Sequence, residues 1–212
     1  RYEPYNKFMD EIAQYNIDRW RALNEVNALF TRPALHLDLQ TAQEKVDPER
    51  HFGDLTGKRV LCLASGGGQQ SVAFALLGAQ VTVTDLSVEQ LQRDQEAAAH
   101  YGFEITSVQA DMRDLSHLPA GDFDLVWQPY SINFVPEVRE VFAQVAQRLR
   151  TGGSYYVVCA SPLTVGLGAQ DWDGHGYPLR EPYVSGAKFL SRDAEWVHDT
   201  ERVIQPPQEF RH

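Results

Sequence analysis

The stretch VLCLASGGG at positions 60–68, followed by VTVTDLS at positions 81–87, decides the fold of this chain. Val60 to Leu63 is a short apolar run bounded by turn residues, which is typical of a buried parallel strand. The glycines after it allow a sharp turn and a close approach of the backbone to a ligand. Asp85 ends the next strand, at the spacing of about 20 residues that places a carboxylate under a ribose. The pattern predicts a nucleoside-binding site.

The rest of the core alternates strand and helix patterns, which predicts an α/β fold with a doubly wound, mostly parallel sheet. Gln69 to Leu77 reads as one helix, and Ser87 caps a second that runs to about His100. A third helix is predicted to begin near Pro136, because proline favours the first helical position. Five strands are predicted, at about 59–64, 80–84, 104–108, 123–128 and 154–160.

Three regions are predicted along the chain. Residues 1–54 hold a helix, capped by Asn6, and an irregular connector from about position 31. Residues 55–160 form the α/β core. Residues 161–212 are rich in Gly, Pro, Trp and Tyr and are expected to form an irregular or short-stranded cover over the strand ends. The N-terminal helix can be a lid over a ligand, or it can cover a sheet edge or a partner subunit. A homodimer is therefore one of the alternatives that the sequence allows.

The details around the glycines distinguish between classes of nucleotide. A dinucleotide fingerprint requires a glycine at position 71, where this chain has Ser71. No Tyr stands four residues before any lysine, which removes the Tyr/Lys pair of short-chain dehydrogenases. The pattern continues instead with Ala110-Asp111-Met112, with FDLVWQPY at 123–130 and with LRTGGSYYVV at 149–158. As a set, these motifs resemble the class I S-adenosylmethionine-dependent methyltransferases, over about residues 55 to 160.

The resemblance implies a Rossmann-like fold that binds S-adenosyl-L-methionine. It assigns Asp85 to the ribose and Asp111 to the neighbourhood of the adenine. The positions that it marks for the cofactor are Ala64, Ser65, Gly66, Gly68, Asp85, Leu86, Asp111, Met112 and Gln128. The family ordinarily has two more strands, an antiparallel pair that follows one more helix. Residues 161–212 show no such pattern, so these elements are either absent from this chain or replaced by something different.

The chain also departs from the family pattern in its first motif. Cys62 stands where the family ordinarily has an acid that orients the glycine loop or reaches the methionyl amine through water. Ala64 stands in the place of the first glycine of that motif. Cys62 is predicted to be a buried apolar residue rather than a nucleophile, because nothing nearby in the sequence would generate a thiolate.

Composition and charge limit the kinds of partner and the cellular location that we expect. The net charge of −10 and the lack of a basic run argue against a nucleic acid as the substrate. No apolar stretch is long enough for a membrane span, and RYEPYNKF at the start lacks the apolar core of a signal peptide. Cys62 and Cys159 are both predicted to lie in buried strands, which favours a reducing compartment, the cytoplasm. No HxxxH or CxxC spacing occurs, so no metal site is predicted.

The expected activity is methyl transfer to a small-molecule acceptor. Such a reaction depends on alignment and exclusion of water, and a general base is optional. Tyr130, after the fourth strand, and His175, in a glycine-flanked segment, are the candidate catalytic residues. Two alternatives stay open. One is an NAD(P)-dependent oxidoreductase, which Ser71 disfavours. The other is a non-catalytic S-adenosylmethionine-binding protein, which is consistent with the altered residues Cys62 and Ala64.

Overall fold

The computed structural model describes residues 10–163, 167, 171–178, 184–190, 205 and 207–212. Its centre is a parallel sheet of five strands, β1 Arg59–Leu63, β2 Gln80–Asp85, β3 Thr106–Gln109, β4 Phe123–Gln128 and β5 Leu149–Val157. Their order in the sheet is β3-β2-β1-β4-β5. All five predicted strands are found, and the ends of the first four agree within two residues. The last strand begins five residues and ends three residues earlier than predicted.

Helices cover both faces of this sheet. They are α1 Glu11–Glu25, α2 Leu39–Val46, α3 Gln70–Leu76, α4 Val88–Tyr101 and α5 Val138–Arg148, with 3-10 turns at Leu29–Thr31 and Tyr130–Phe134. Val60 and Cys62 of β1 face one core cluster together with Phe74 of α3, whereas Leu61 and Leu63 face a second cluster with residues of α5. A strand buried on both faces explains the continuous apolar run in the sequence. The Rossmann-like doubly wound fold is therefore confirmed.

Local capping explains where the helices begin and end. Ser87 accepts a hydrogen bond from the Gln90 N–H at the start of α4, and Gly102 ends that helix in the left-handed conformation, with φ 74°. The helix predicted from Pro136 begins two residues later, at Val138, with Glu137 at the N-cap. Pro136 therefore precedes the helix instead of opening it.

The N-terminal region differs from its prediction in two ways. The described part of α1 is capped by Asp10, whose side chain accepts from the Ala13 N–H, while Asn6 lies outside the described residues. The connector is not irregular throughout, because Asp38 and Thr41 form a reciprocal capping box that starts α2. The sequence analysis missed this helix because its N3 residue is Thr rather than the Glu or Gln that usually marks such a box.

Two side-chain amides hold α1 against the core. The Asn16 Nδ2 atom donates to the Phe134 carbonyl oxygen at 3.2 Å, and the Asn24 Nδ2 atom donates to Gln90 Oε1 at 2.9 Å. Gln90 belongs to α4, so α1 bridges α4 and the turn that follows β4. This places α1 beside the carboxyl ends of the central strands.

The C-terminal region contributes a separate antiparallel pair, β6 Lys188–Leu190 and β7 Gln208–Phe210. Neither strand hydrogen-bonds to the parallel sheet. The Gln208 N–H donates to Asn16 Oδ1 at 2.8 Å, so β7 packs on α1. Much of the predicted cover, including 164–166, 168–170, 179–183 and 191–204, lies outside the described residues. Within the described ranges, no helix has the length and apolar character that a membrane span requires.

Candidate active site

A cleft of about 500 Å³ opens at the carboxyl ends of the parallel strands. The strand order reverses between β1 and β4, and ligands of open α/β sheets bind at such a point. The loop after β1, the ends of β2 and β3, the turn after β4 and one side of α1 form its walls. Of the positions predicted for the cofactor, those that line the cleft are Ala64, Ser65, Gly66, Asp85, Leu86, Asp111 and Met112.

The glycine loop packs tightly on its surroundings. A Cβ atom at Gly66 would lie 2.7 Å from the Cβ of Gln90 and 3.0 Å from Asp85 Oδ2. At Gly68, where φ is +69°, a Cβ atom would lie 2.4 Å from the carbonyl oxygen of Arg93. Gly68 is buried against α4 and does not line the cleft. Its glycine is required for contact between the loop and α4.

Asp85 belongs to the wall formed by the positions predicted for the cofactor, which we call the cofactor wall: Ala64, Ser65, Gly66, Asp85, Leu86, Asp111 and Met112. Its Oδ2 atom accepts from the Gly66 N–H at 2.9 Å, and its Oδ1 atom accepts from the Ser87 N–H at 2.9 Å. Burial raises the pKa of this carboxyl above its ordinary value. Each carboxylate oxygen can accept a second hydrogen bond, so both oxygens remain able to receive the hydroxyls of a ribose.

Asp111 carries an interaction that the sequence analysis did not foresee. Its carboxylate binds the guanidinium of Arg113 through both oxygens, at 3.0 and 2.8 Å. The Arg113 side chain is only 2% exposed and also contacts Asp10 at 2.7 Å and Glu137 at 3.1 Å. The guanidinium thus ties the first turn of α1 and the start of α5 to the loop after β3. Arg113 lies between two aspartates in the sequence, but that arrangement alone did not indicate its partners.

Gln128 lies beneath the cleft and not in its wall. The side chain is fully buried, and its Nε2 atom donates to Ser131 Oγ at 3.0 Å and to the sulfur of Met112 at 3.3 Å. The Tyr155 hydroxyl donates to the Gln128 Oε1 atom. Gln128 therefore supports Met112, which lines the cleft, and its own side chain is not among the residues that line it.

The opposite wall is aromatic and apolar. The ring centroid of Trp20 in α1 lies 5.9 Å from that of Phe30 and 5.9 Å from that of Phe134, in edge-to-face geometry. The remaining apolar side chains of this wall are Ile12, Ile17, Pro129 and Val135. We call these residues, together with Ala13, Asn16, Trp20, Phe30, Tyr130, Ser131 and Phe134, the aromatic wall. The sequence analysis identified only Tyr130 among them as a site residue.

The two candidate catalytic residues occupy different places. Tyr130 lines the cleft, and its hydroxyl donates to the Glu209 carboxylate of β7 at 3.2 Å. Glu209 is 2% exposed, and burial raises the pKa values of both groups. His175 is exposed in a turn where its backbone N–H donates to Asp173 Oδ1 at 2.9 Å, and it does not line the cleft.

The cysteines also occupy different environments. Cys62 is fully buried, as predicted, and burial raises the pKa of its thiol well above the ordinary value. Cys159 is exposed, contrary to the prediction, because β5 ends at Val157 and lies at the edge of the described sheet. Among the described residues, no group of His, Cys, Asp and Glu side chains is arranged to hold a metal ion.

Several known proteins share this sequence pattern. A family model described as a methyltransferase domain matches residues 61–157. The chain is 38% identical to an uncharacterised methyltransferase of Bacillus subtilis, YbaJ, over 136 residues, which are 64% of this chain and 53% of that protein. It is 29% identical to a ubiquinone biosynthesis O-methyltransferase of Cronobacter sakazakii over 157 residues, 74% of this chain and 59% of the relative. The chain thus spans little more than half the length of these curated relatives.

Solved structures agree with the sequence relatives. An S-adenosylmethionine dependent methyltransferase from Mesorhizobium loti superposes with a TM-score of 0.52 at 29% identity, covering 61% of this chain and 58% of that one. The [4+2]-cyclase SpnF superposes with a TM-score of 0.56 at 18% identity, covering 68% of this chain and 59% of that one, and shows the fold alone. Residues 61–157 thus match a methyltransferase domain, and the chain is similar to class I S-adenosylmethionine-dependent methyltransferases in its glycine loop, in Asp85 at the end of β2 and in its parallel sheet.

Proposed function

We propose that this protein binds S-adenosyl-L-methionine along the glycine loop and Asp85 and transfers its methyl group to a small, largely apolar molecule held by the aromatic wall. The observation that carries the proposal is the division of one continuous cleft into two unlike walls. One wall presents the glycine loop and the Asp85 carboxylate, and the other presents aromatic rings. A cleft of about 500 Å³ is within the usual range for small-molecule sites.

The residues present fit the cofactor. A Cβ atom at Gly66 would clash with Gln90 and Asp85, so the glycine lets the Asp85 carboxylate lie against the loop, and Asp85 keeps acceptor capacity for two ribose hydroxyls. Leu86 and Met112 supply apolar surface for an adenine. We assign the methionine portion to the part of the loop near Ala64 and Ser65. Asp111 acts here mainly by holding Arg113, so its contribution to the adenine site is indirect.

The chemistry requires little from the protein beyond alignment. When bound, the cofactor would supply a methyl group that its sulfonium activates for transfer to the acceptor atom, with a neutral thioether as the leaving group. The aromatic wall orients the acceptor and excludes water from the cleft. Tyr130 and Glu209 are the groups placed to receive a proton from an acceptor hydroxyl, by way of the Tyr130 oxygen. We therefore include hydroxylated acceptors such as phenols among those to be tested, and the Cronobacter relative is named as an O-methyltransferase.

The charge of the cleft favours an uncharged acceptor. Arg113 is the only cationic side chain among the described lining residues, and three carboxylates surround it. A phosphate or carboxylate on the acceptor would therefore find no free cation in the described walls. We further propose that the protein works in the cytoplasm, where a reducing environment keeps both of its free cysteines as thiols.

Calorimetry and a methyl-transfer assay test the proposal. We expect S-adenosylhomocysteine to bind with a micromolar or lower Kd and NAD⁺ to show no saturable binding. A panel of labelled-methyl reactions with phenols, other hydroxylated aromatics, aromatic amines and thiols should then give transfer to at least one apolar acceptor and none to nucleotides. Binding of NAD⁺ in preference to S-adenosylhomocysteine would contradict the cofactor assignment. Cofactor binding without transfer to any acceptor would favour a non-methylating role. The fold allows such a role, because the [4+2]-cyclase SpnF shares it.

A further inference from the structure

A buried carboxyl lies directly behind the glycine loop. Asp94 projects from α4 and is 0% exposed. Its Oδ2 atom accepts from the Gly67 N–H at 3.0 Å, and its Oδ1 atom accepts from the Ser71 hydroxyl. One side chain therefore joins the glycine loop, the start of α3 and the middle of α4.

Two of the residues at which the sequence departs from known nucleotide-binding patterns, Ser71 and Cys62, interact with this carboxyl. Ser71 replaces the third glycine of a dinucleotide fingerprint, and its hydroxyl is bound to Asp94. Cys62 replaces the acid of the first methyltransferase motif, and the charge of Asp94 is close enough to raise the pKa of the Cys62 thiol further. Position 62 and Asp94 are thus within range of an electrostatic interaction.

The titratable groups that face Asp94 are Asp85 from β2 and Cys62 from β1. Burial and the nearby charge of Asp85 raise the pKa of Asp94 to about 7. Both observed hydrogen bonds are accepted by Asp94, which suits the ionised form. Burying a carboxyl beside another acid is unfavourable unless its hydrogen bonds compensate, so we attribute a definite role to Asp94.

We propose that Asp94 is a positioning residue that holds the glycine loop in its cofactor-binding conformation, supplying from α4 the carboxylate that this chain lacks at position 62. The inference rests on the proposed function, because it concerns affinity for the same cofactor. The Gly67 amide is fixed by Asp94 just as the Gly66 amide is fixed by Asp85. The loop is therefore held by two acids from two different elements.

The test is a double-mutant cycle read by calorimetry with S-adenosylhomocysteine. Asp94→Ala should weaken binding at least tenfold. Cys62→Asp alone should lower Tm, because it places a further acid at a fully buried position within electrostatic range of Asp94. The double variant Cys62→Asp/Asp94→Ala should recover at least fivefold of the affinity lost in Asp94→Ala, because one carboxylate is then present again. Asp94→Ala with wild-type affinity, or a double variant that binds no better than Asp94→Ala, would overturn the inference.

A matched control separates loop positioning from general stability. Asp47 is also buried, at 2% exposed, and its carboxylate accepts from the N–H groups of His51 and Phe52 at 2.7 and 3.0 Å, outside the cleft walls. Asp47→Ala should lower Tm while leaving the Kd for S-adenosylhomocysteine within twofold. An equal loss of affinity in Asp47→Ala and Asp94→Ala would show that Asp94 acts only through stability.

The pH dependence of binding gives a second readout if Asp94→Ala does not fold. In the wild type, affinity for S-adenosylhomocysteine should rise several-fold from pH 6 to pH 8 as Asp94 ionises. Asp94→Asn keeps the size of the side chain and one acceptor, and its affinity should vary less over this range. Identical pH profiles for wild type and Asp94→Asn would overturn the inference. Failure of the wild type to bind would instead contradict the proposed function itself.

Discussion

The cofactor wall and the aromatic wall of the cleft are built in different ways. Asp85, Gly66 and Ser87 are joined by hydrogen bonds over short sequence distances, along one strand–loop–helix unit. The aromatic wall depends on contacts such as those of the Asn16 side chain with the carbonyls of Phe134 and Gln208, which are 118 and 192 residues away in the chain. One wall is therefore specified by local sequence, whereas the other exists only after the tertiary structure has formed.

The largest effect is expected at Asp85 in the cofactor wall. In the proposed site, Asp85→Ala removes the acceptors of two ribose hydroxyls, each charge-assisted bond contributing about 1.5–3 kcal/mol. It also removes the acceptor of the Gly66 N–H. We expect the affinity for S-adenosylhomocysteine to fall by about a thousandfold, which is about 4 kcal/mol, in calorimetry. Unchanged affinity in a folded Asp85→Ala protein would exclude Asp85 as the ribose ligand and with it the assignment of this wall to the cofactor.

The next largest effect is expected at Gly68, which separates packing from direct ligand contact. Gly68→Ala must adopt φ +69° and also displace the Arg93 carbonyl, which the added Cβ would approach to 2.4 Å. Gly102→Ala is the matched control, since its φ is +74° but no heavy atom lies within 4 Å of the added Cβ. We expect the control to lose about 1 kcal/mol of unfolding free energy and Gly68→Ala about 3 kcal/mol, measured by urea denaturation. Equal losses would contradict the close packing of the loop on α4.

The sequence predicted the cofactor wall because its chemistry is local. Asp85 lies at the end of a strand with the required spacing from the loop, and parallel strands bring both to the same edge of the sheet. The same reasoning placed Gly68 and Gln128 among the cofactor ligands, and the structure shows them behind the wall instead. A motif gives the position of a residue along the chain, but packing decides whether its side chain faces the ligand or the core.

The aromatic wall and the network around Arg113 were not predicted, for physical reasons. Trp20 and Phe134 have apolar patterns that fit a core contact equally well, and only the packing of α1 shows that they face a cleft. Asp10 and Glu137 reach Arg113 from two distant helix starts, and local spacing does not encode such a contact. The helix α2 was missed because its capping residue Thr41 is a weaker signal than Glu or Gln.

A substitution in the aromatic wall should separate acceptor binding from cofactor binding. Trp20→Ala removes the ring that contacts both Phe30 and Phe134. We expect the KM for an apolar acceptor to rise about tenfold, which is about 1.4 kcal/mol, while the Kd for S-adenosylhomocysteine stays within about threefold. Trp172→Ala, an exposed tryptophan at 52% that does not line the cleft, should change neither quantity. A large loss of cofactor affinity in Trp20→Ala, with the acceptor KM unchanged, would remove the functional distinction between the walls.

The smallest effect on ligand binding is expected at Cys62, beneath the cofactor wall. Because Cys62 is fully buried and burial raises the pKa of its thiol, the thiolate is suppressed at neutral pH. Cys62→Ser introduces a hydroxyl into an apolar cluster and should lower the unfolding free energy by about 1–2 kcal/mol, while the affinity for S-adenosylhomocysteine changes less than threefold. Iodoacetamide followed by mass spectrometry should modify the exposed Cys159 first, and Cys159→Ser should abolish this rapid phase. Rapid alkylation of Cys62 in the folded protein, with loss of cofactor binding, would instead show a reactive thiol in the wall and contradict its structural role.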